Sequence, residues 1–363
     1  MAVKECENQL EIMEPIQKIK IAEKYVGQGE PVFIVAEIGQ NHNGDMQIAK
    51  ALIDQCAHDK VSAVKFCKRH IKSDLAKSKY NSLYPSQHSF GATYGQHREF
   101  LELSKEQHQE LKEYANAKGL VYFASVCDLK SADDMDDIGI PMFKIASRDL
   151  TNKPLIEHVA KKQKPIFLST GMSNLSEVER TINLIRKYHN QIIIFQCTSE
   201  YPAKYEDINL NAMAQLKNHF GLQVGMSDHS SGIMVACAAA AMGAVAIEKH
   251  VTLDRNMKGT DHQASLDPPG MERLVTWIRN FEVAKGASFK SMLEGEFVAR
   301  KKLARSIVAA RPLKAGQTIL VDMLAAKTHV DVGLNPFEEE KILGKTLLKD
   351  IDEDELILEH QVS

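Results

Sequence analysis

The chain has 363 residues, 44% hydrophobic and 26% charged, and its 45 Lys and Arg stand against 48 Asp and Glu for a formal net charge of −3. At about 150 residues per domain this leaves room for roughly two domains, with a core large enough to need no disulfide or metal staple. Such a balance excludes a broad nucleic-acid footprint, which needs Lys and Arg clustered on a basic domain. The longest apolar stretch, VACAAAAMGAVAIE (235–248), is too short to span a membrane and ends in a carboxylate. The opening MAVKECENQLEIMEP lacks the apolar centre of a secretory signal. A cytoplasmic protein is therefore expected. Its cysteines (Cys6, Cys56, Cys67, Cys127, Cys197, Cys237) are scattered without a CxxC pair, as suits reduced thiols.

From about Phe33 a rhythm sets in. Short apolar, β-branched runs alternate with stretches of helical period. The runs are PVFIVAE (31–37), VSAVKFC (61–67), VYFASV (121–126), MFKIAS (142–147), PIFLST (165–170), IIIFQCT (192–198), LQVGMSD (222–228) and AVAIEKH (244–250). Helices are expected in DMQIAKALIDQCAHD, in SKEQHQELKEYANAKG with Ser104 as N-cap and Gly119 as stop, and in NLSEVERTINLIRKY and PGMERLVTWIRNFEVAKG. Eight such strands alternating with helices predict an α/β fold, a (β/α)₈ TIM barrel. A doubly wound open sheet is the rival, but AEIGQNHNG offers no GxGxxG.

The segment 71–103 reads as a long polar and aromatic insertion without strong period, placed over the top of the barrel. After Gly286 the pattern changes to a polar connector and then RSIVAARPLKAGQTILVDMLAAK, a strand, a turn and a strand. The expected organisation is an N-terminal extension (1–30), the barrel (31–286), a linker (287–303) and a small β-rich domain (304–363).

Catalytic side chains of such barrels sit at the C-terminal ends of strands. Here those ends read Glu37, Lys65, Ser125, Lys144, Ser147, Ser169, Thr170, Thr198, Ser199, Ser227, Asp228, His229, Glu248 and His250. One polar strand end is an ordinary cap, but eight strands ending this way point to a site. Lys65 and Lys144 close apolar strands, where a lysine is desolvated unless it meets an anion. The plain alternative is an internal ion pair with Glu37 or Asp149. The functional reading is capture of a phosphate or carboxylate with help from Ser147, Ser169 and Ser227. A Schiff-base lysine is a second functional reading. His229 and His250 end neighbouring strands, and two imidazoles with carboxylates and water suit Mn²⁺, Mg²⁺ or Zn²⁺, or an acid–base pair. Glu37 is a candidate acid or base, or a group that orients a sugar hydroxyl. Asp261 and His262 read as a polar turn. The scattered histidines His58, His108, His158, His189, His219 and His360 read as surface groups on helices or tails.

The motifs FIVAEIGQNHNGD, AVKF, YGQHREFLELS, FKIASRDLTNKPLI, LSTGM, QCTSEYP, GMSDHSSG and EKHVTLD…KGTDHQASLDP, in this order, resemble the sialic acid synthase family. RSIVAARPLKAGQTILVDML is similar to that family's C-terminal antifreeze-like (SAF) domain, so the resemblance covers about 330 residues. It implies a transferase that condenses phosphoenolpyruvate with N-acetylmannosamine or its 6-phosphate. The product is a nine-carbon 2-keto sugar acid, with phosphate released by C–O cleavage. It implies a divalent metal on His229 and His250, Mn²⁺ first and Mg²⁺ or Co²⁺ as alternatives. Phosphoenolpyruvate contacts carry over to Lys65, Ser125, Lys144, Ser147, Ser199 and Ser227. Sugar contacts carry over to Glu37, Tyr201 and Asp261. Cys67 stands where the family usually has a sugar-binding glutamine, Ser199 where the bacterial members often have asparagine, and Thr328 where some members place an arginine that reaches the partner's sugar. The family implies a homodimer in which each C-terminal domain caps the other barrel. The alternatives are the same chemistry on another hexose or hexosamine, a related phosphoenolpyruvate condenser or aldolase, and an inactive binding relative.

Overall fold

The computed structural model describes residues 16–363; Cys6 and the first half of the expected N-terminal extension lie outside them. The chain divides into two compact units, the first ending at Lys285 and the second running Gly286–Ser363. Among the described residues, no helix is long and apolar enough to cross a membrane.

The first unit opens with a small antiparallel hairpin, β1 (Ile19–Ile21) and β2 (Lys24–Val26). Eight parallel strands follow: β3 (Phe33–Gly39), β4 (Ala63–Lys68), β5 (Val121–Val126), β6 (Phe143–Ile145), β7 (Ile166–Ser169), β8 (Ile192–Cys197), β9 (Gln223–Asp228) and β10 (Ala246–His250). They close in the order β10-β3-β4-β5-β6-β7-β8-β9, the expected barrel. The runs looked continuously apolar because parallel strands are buried on both faces. The outer face packs under the helices in one large cluster that includes Ile34, Val64, Phe66 and Ile194.

The inner face is layered. Phe33, Val35, Ala63, Val121, Phe123, Met142, Phe167, Ile193, Phe195 and Ala246 form an apolar plug in the lower half. Ile19, Ile21 and Val26 of the hairpin belong to the same cluster, so the hairpin closes the barrel's lower end. Because side chains alternate along a strand, the next inward position up each strand carries the polar groups: Glu37, Lys65, Ser125, Lys144, Ser169, Cys197, Ser227 and Glu248.

The insertion is more ordered than its composition implies. It holds two one-turn helices, Ile71–Asp74 and Lys77–Tyr80, and then a helix over Tyr94–Leu101 opened by a capping box in which Thr93 and Gln96 exchange hydrogen bonds. His108 is not a surface group. With Leu111 and Ala115 it forms the buried stripe of the helix Lys105–Ala117, and its Nδ1 meets the Tyr122 hydroxyl at 2.6 Å. His262 is fully buried rather than part of an open turn, with Nδ1 2.7 Å from Thr252 Oγ1 and Nε2 3.3 Å from Asn43 Oδ1.

In the second unit, the stretch expected as linker contains a helix, Glu296–Leu303. After it β11 (Arg305–Ala309) pairs antiparallel with β12 (Leu324–Thr328), as the strand–turn–strand pattern predicts. Ile307, Ala309, Leu313, Ile319, Ile342, Leu347, Ile351, Ile357 and Val362 make its own small core.

Candidate active site

A cavity of about 320 Å³ opens at the C-terminal ends of the barrel strands. Its walls include Glu37, Lys65, Cys67, Ser125, Lys144, Ser147, Ser199, Tyr201, Ser227, His229, His250 and Asp261. These are the sequence-predicted site residues of the first unit, brought together in one place. Thr328 lies in the second unit, exposed at the end of β12, where its hydroxyl donates to the Leu303 carbonyl at 3.5 Å.

The floor is a charged network over the apolar plug. Lys65 Nζ stands 2.8 Å from Glu37 Oε2 and 3.5 Å from Glu248 Oε1, and donates to Ser125 Oγ at 2.9 Å. Lys144 Nζ stands 3.2 Å from Glu248 Oε2, donates to Ser169 Oγ at 2.6 Å, and lies 4.2 Å above the centre of the Phe195 ring. The Ser227 hydroxyl donates to Glu248 Oε1 at 3.0 Å. Glu248 is thus the shared counterion of both lysines. Asp149, weighed as a partner from sequence, pairs instead with Arg148.

Two buried carboxylates share Lys65, and their environments drive them apart. Burial raises the Glu37 carboxyl well above the ordinary range; Lys65 opposes this, and the neighbouring Glu248 charge adds to it. Burial would raise Glu248 too, but Lys144 and Lys65 together overcome it and hold the group ionised. Burial lowers Lys144, against the pull of Glu248. For Lys65, burial is outweighed by Glu248 and Glu37, which keep it charged. The floor therefore sets two buried lysines against one firmly ionised carboxylate, beside a second carboxyl that burial pushes up.

Above the floor sit the two histidines. Their ring centres are 5.4 Å apart, and the Tyr201 ring lies 4.1 Å from that of His229. His229 Nδ1–H donates to the Thr198 carbonyl at 2.8 Å, so the neutral ring carries its lone pair on Nε2. His250 Nδ1 is buried without a hydrogen-bond partner. Burial holds the His250 imidazole neutral, down to about 4, with the neighbouring His229 and Lys65 adding to this. Two imidazole lone pairs at one mouth, one of them orphaned, fit a divalent ion that completes its coordination with substrate and water oxygens. Among the described residues, no cluster of three or more His, Cys, Asp or Glu side chains forms a closed cage. Each histidine is anchored from behind. Lys249 Nζ reaches through the outer face of β10 to Asp228 Oδ2 at 2.7 Å and to the Ser230 carbonyl at 2.5 Å, with both side chains fully buried. This bolts together the two strand ends that carry His229 and His250.

Gly171 supports the serine side. Its N–H donates to Ser147 Oγ at 3.0 Å. A methyl there would fall 2.8 Å from Ser147 Oγ and closer still to Ser199 Oγ, so a larger residue would displace both hydroxyls.

Sequence reasoning missed a group of side chains on the upper wall: Arg69, Arg98, Arg148 and Gln40. Arg69 was visible as the polar residue just beyond the second strand. Arg98 comes from the Tyr94–Leu101 helix of the insertion, and Arg148 from the turn after β6.

Residues 52–290 match the NeuB family and residues 304–363 the SAF domain. The chain is 36% identical over 340 residues to an N-acetylneuraminate-9-phosphate synthase of Mus musculus, covering 93% of this chain and 95% of that one. It is 38% identical over 330 residues to an N,N'-diacetyllegionaminic acid synthase of Campylobacter jejuni, covering 90% and 98%. Among solved structures, a similar one is the N-acetylneuraminic acid (sialic acid) synthetase of Leptospira borgpetersenii in complex with citrate, with a TM-score of 0.69 and 31% identity over 79% of this chain and 97% of that one.

Proposed function

From the premise that the chain belongs to the NeuB family, the sialic acid synthases, and ends in a SAF domain, we propose that it condenses phosphoenolpyruvate with an N-acylated hexosamine, N-acetylmannosamine or its 6-phosphate, to give a nine-carbon 2-keto sugar acid and phosphate. The observation that carries this reading is the floor of the cavity. Two buried lysines share one ionised carboxylate, ringed by serine hydroxyls, directly beneath two imidazoles. A small substrate bearing both a carboxylate and a phosphate is what such a floor would bind.

In this reading Lys65 and Lys144 neutralise phosphoenolpyruvate without changing their own charge, and Ser125, Ser147, Ser199 and Ser227 donate hydrogen bonds to its oxygens. His229 and His250 would hold a divalent ion, Mn²⁺ first and Mg²⁺ or Co²⁺ as alternatives, which when bound supplies Lewis acidity toward the sugar's aldehyde. Tyr201, Asp261 and Cys67 line the space left for the sugar. Carbon 3 of phosphoenolpyruvate attacks the aldehyde carbon. Glu37, whose carboxyl burial raises well above the ordinary range, is the group that passes a proton to the aldehyde oxygen as the carbon–carbon bond forms. Water adds at carbon 2, and the resulting hemiketal phosphate collapses with cleavage of the carbon–oxygen bond. Glu37 recovers a proton from the added water.

The resemblance extends the proposal to a homodimer in which each SAF domain caps the partner's barrel, with Thr328 near the partner's sugar. A fully active monomer in light scattering would end that part.

The central test is phosphate release from phosphoenolpyruvate with Mn²⁺, offering N-acetylmannosamine and its 6-phosphate in parallel. Sugar-dependent release that a chelator abolishes is the expected result. Absence of release with every hexose and hexosamine tried, despite phosphoenolpyruvate binding, would leave a binding relative instead.

A further inference from the structure

The floor accounts for the anionic groups of phosphoenolpyruvate, but the cavity carries more positive charge than that substrate uses. Arg69 lies four residues beyond Lys65 along the same run of chain, about 13 Å of extended backbone at roughly 3.3 Å per residue. It lines the cavity, yet is only 8% exposed. A guanidinium buried to that degree is normally matched by a carboxylate in hydrogen-bond contact. Arg69 has none. One carboxylate oxygen comes within 4 Å, Asp74 Oδ2, and at 3.8 Å from Nε it is beyond hydrogen-bond reach. Nε is buried without a partner, and Nη2 donates only to the Cys67 thiol at 3.5 Å.

The neighbouring acids make their hydrogen bonds elsewhere, except that Asp74 Oδ2, the oxygen facing Arg69, is buried without a partner. Asp74 Oδ1 is taken by Arg148 Nη2 at 2.9 Å, and Asp149 Oδ2 by Arg148 Nε at 3.1 Å. Glu102 Oε1 receives Lys68 Nζ at 2.8 Å and the backbone N–H of Arg69 at 3.1 Å. The second cation on this wall is Arg98. Its Nη2 donates to the Tyr94 hydroxyl at 2.8 Å and its Nη1 to Gln40, both neutral oxygens, and its Nε is also buried without a partner. Asp261 is the one acid on the cavity wall whose charge both arginines feel. Arg148 is thus hydrogen-bonded to two carboxylates, whereas Arg69 and Arg98 are hydrogen-bonded to none through their guanidinium groups.

We propose that Arg69 and Arg98 form a second anion subsite, which holds a phosphate monoester at the end of the acceptor sugar remote from its aldehyde. The inference rests on the condensation reading above and selects between its two acceptors. With the aldehyde carbon facing the histidines and the floor, an open-chain hexosamine directs its sixth carbon toward the mouth, where this upper pair lies. A neutral hydroxyl there would leave both guanidinium groups without a hydrogen-bonded oxyanion, Arg69 having only the Cys67 sulfur, which Cys127 and the adjacent cations hold well below the usual thiol range. A phosphate supplies the oxyanion, and planar guanidinium forks suit phosphate oxygens. The insertion acquires a purpose in this arrangement, because its capped helix carries Arg98 to the cavity.

The test is calorimetric titration of N-acetylmannosamine 6-phosphate and of N-acetylmannosamine into the Mn²⁺-loaded protein, alongside phosphate-release kinetics, for the natural chain, Arg69→Gln and Arg98→Gln. Loss of one charge-assisted hydrogen bond corresponds to roughly a tenfold to hundredfold weakening. The expected result is tighter binding of the phosphorylated sugar, a weakening of that order in each variant, and an unchanged KM for phosphoenolpyruvate. Should a variant fail to fold, the comparison of the two sugars on the natural chain still decides. Equal or tighter binding of the unphosphorylated sugar overturns the subsite. So does a loss that falls on phosphoenolpyruvate instead, since the arginines would then serve the first substrate. Tight, arginine-dependent binding of the sugar phosphate without any phosphate release would retain the subsite and reject the condensation.

Discussion

The two units of this chain treat charge in opposite ways. The barrel unit buries Glu37, Lys65, Lys144, Asp228, Glu248 and Lys249, each at most 5% exposed. In the second unit the buried polar side chains among the described residues are Ser306 and Gln361, and its ion pairs, such as Lys314 with Asp350 at 2.8 Å, lie at the surface. A small β-rich core of aliphatic residues can be made without any buried ion. That the barrel carries these six, with Asp59, Lys68 and Asp128 besides, sets it apart, because isolated burial of a charge costs several kcal/mol. The contrast places the buried charges of the candidate site in the barrel unit.

The sharpest way to break this contrast is at the histidines. His229→Ala or His250→Ala is expected to lower metal-dependent phosphate release by about a thousandfold, the scale of several kcal/mol that Lewis-acid assistance supplies. Thermal melting should be unchanged. Retention of near-natural turnover by either variant would remove the metal assignment. Next in size is Lys249→Met, which strands the Asp228 carboxylate in the interior. It is expected to cost about 3–5 kcal/mol in urea unfolding of the barrel. The matched change in the other unit, Lys314→Met, should leave the melting curve where it was, because exposed pairs contribute little.

A smaller effect separates the units by pH. Burial holds the His42 imidazole down to about 4, and burial likewise holds His108 well below its usual value. The unfolded chain binds these protons near pH 6.5 and the folded barrel does not, so stability is fully present above about 6.5 and is lost as pH falls toward 4. For His42 the integrated loss is about 3 kcal/mol. Peptide-resolved hydrogen exchange at pH 7 and pH 5 should show protection falling across the barrel strands and much less in Arg305–Thr328. Equal loss in both units would contradict the account.

Much of this was legible in the sequence, for physical reasons that also explain the gaps. The eight barrel strands stand out because both faces are buried, which writes each as an unbroken apolar run. The polar strand ends stand out because inward positions alternate, so the residue that changes from Phe or Val to Lys or Ser marks the boundary between plug and floor. The hairpin Ile19–Val26 did not stand out, since three-residue strands are too short to display a period. The Tyr94–Leu101 helix was hidden by its polarity, although Thr93 and Gln96 spelled its capping box. His108 was misjudged as a lone residue; read with Leu111 and Ala115 it falls on the buried stripe. Glu248 was visible as a strand end, but its role as counterion to both lysines depends on strands that meet only when the barrel closes. The 71–103 insertion was expected over the top of the barrel, but which of its side chains would reach the cavity beside Arg69 depends on how its helix is set there, which no local pattern encodes.

The hairpin beneath the barrel bears on kinetics. With Ile19, Ile21 and Val26 packed into the apolar plug at the lower end, the described residues leave the strands' C-terminal ends as the way into the chamber and out of it. With phosphoenolpyruvate in the deeper seat and the sugar in the shallower one, as the proposed function has them, the expected kinetics are compulsory-order, with phosphoenolpyruvate first. A sugar that arrives early bars the passage and forms a dead-end complex. Initial rates should therefore fall at high sugar concentration, and raising phosphoenolpyruvate should relieve the inhibition competitively.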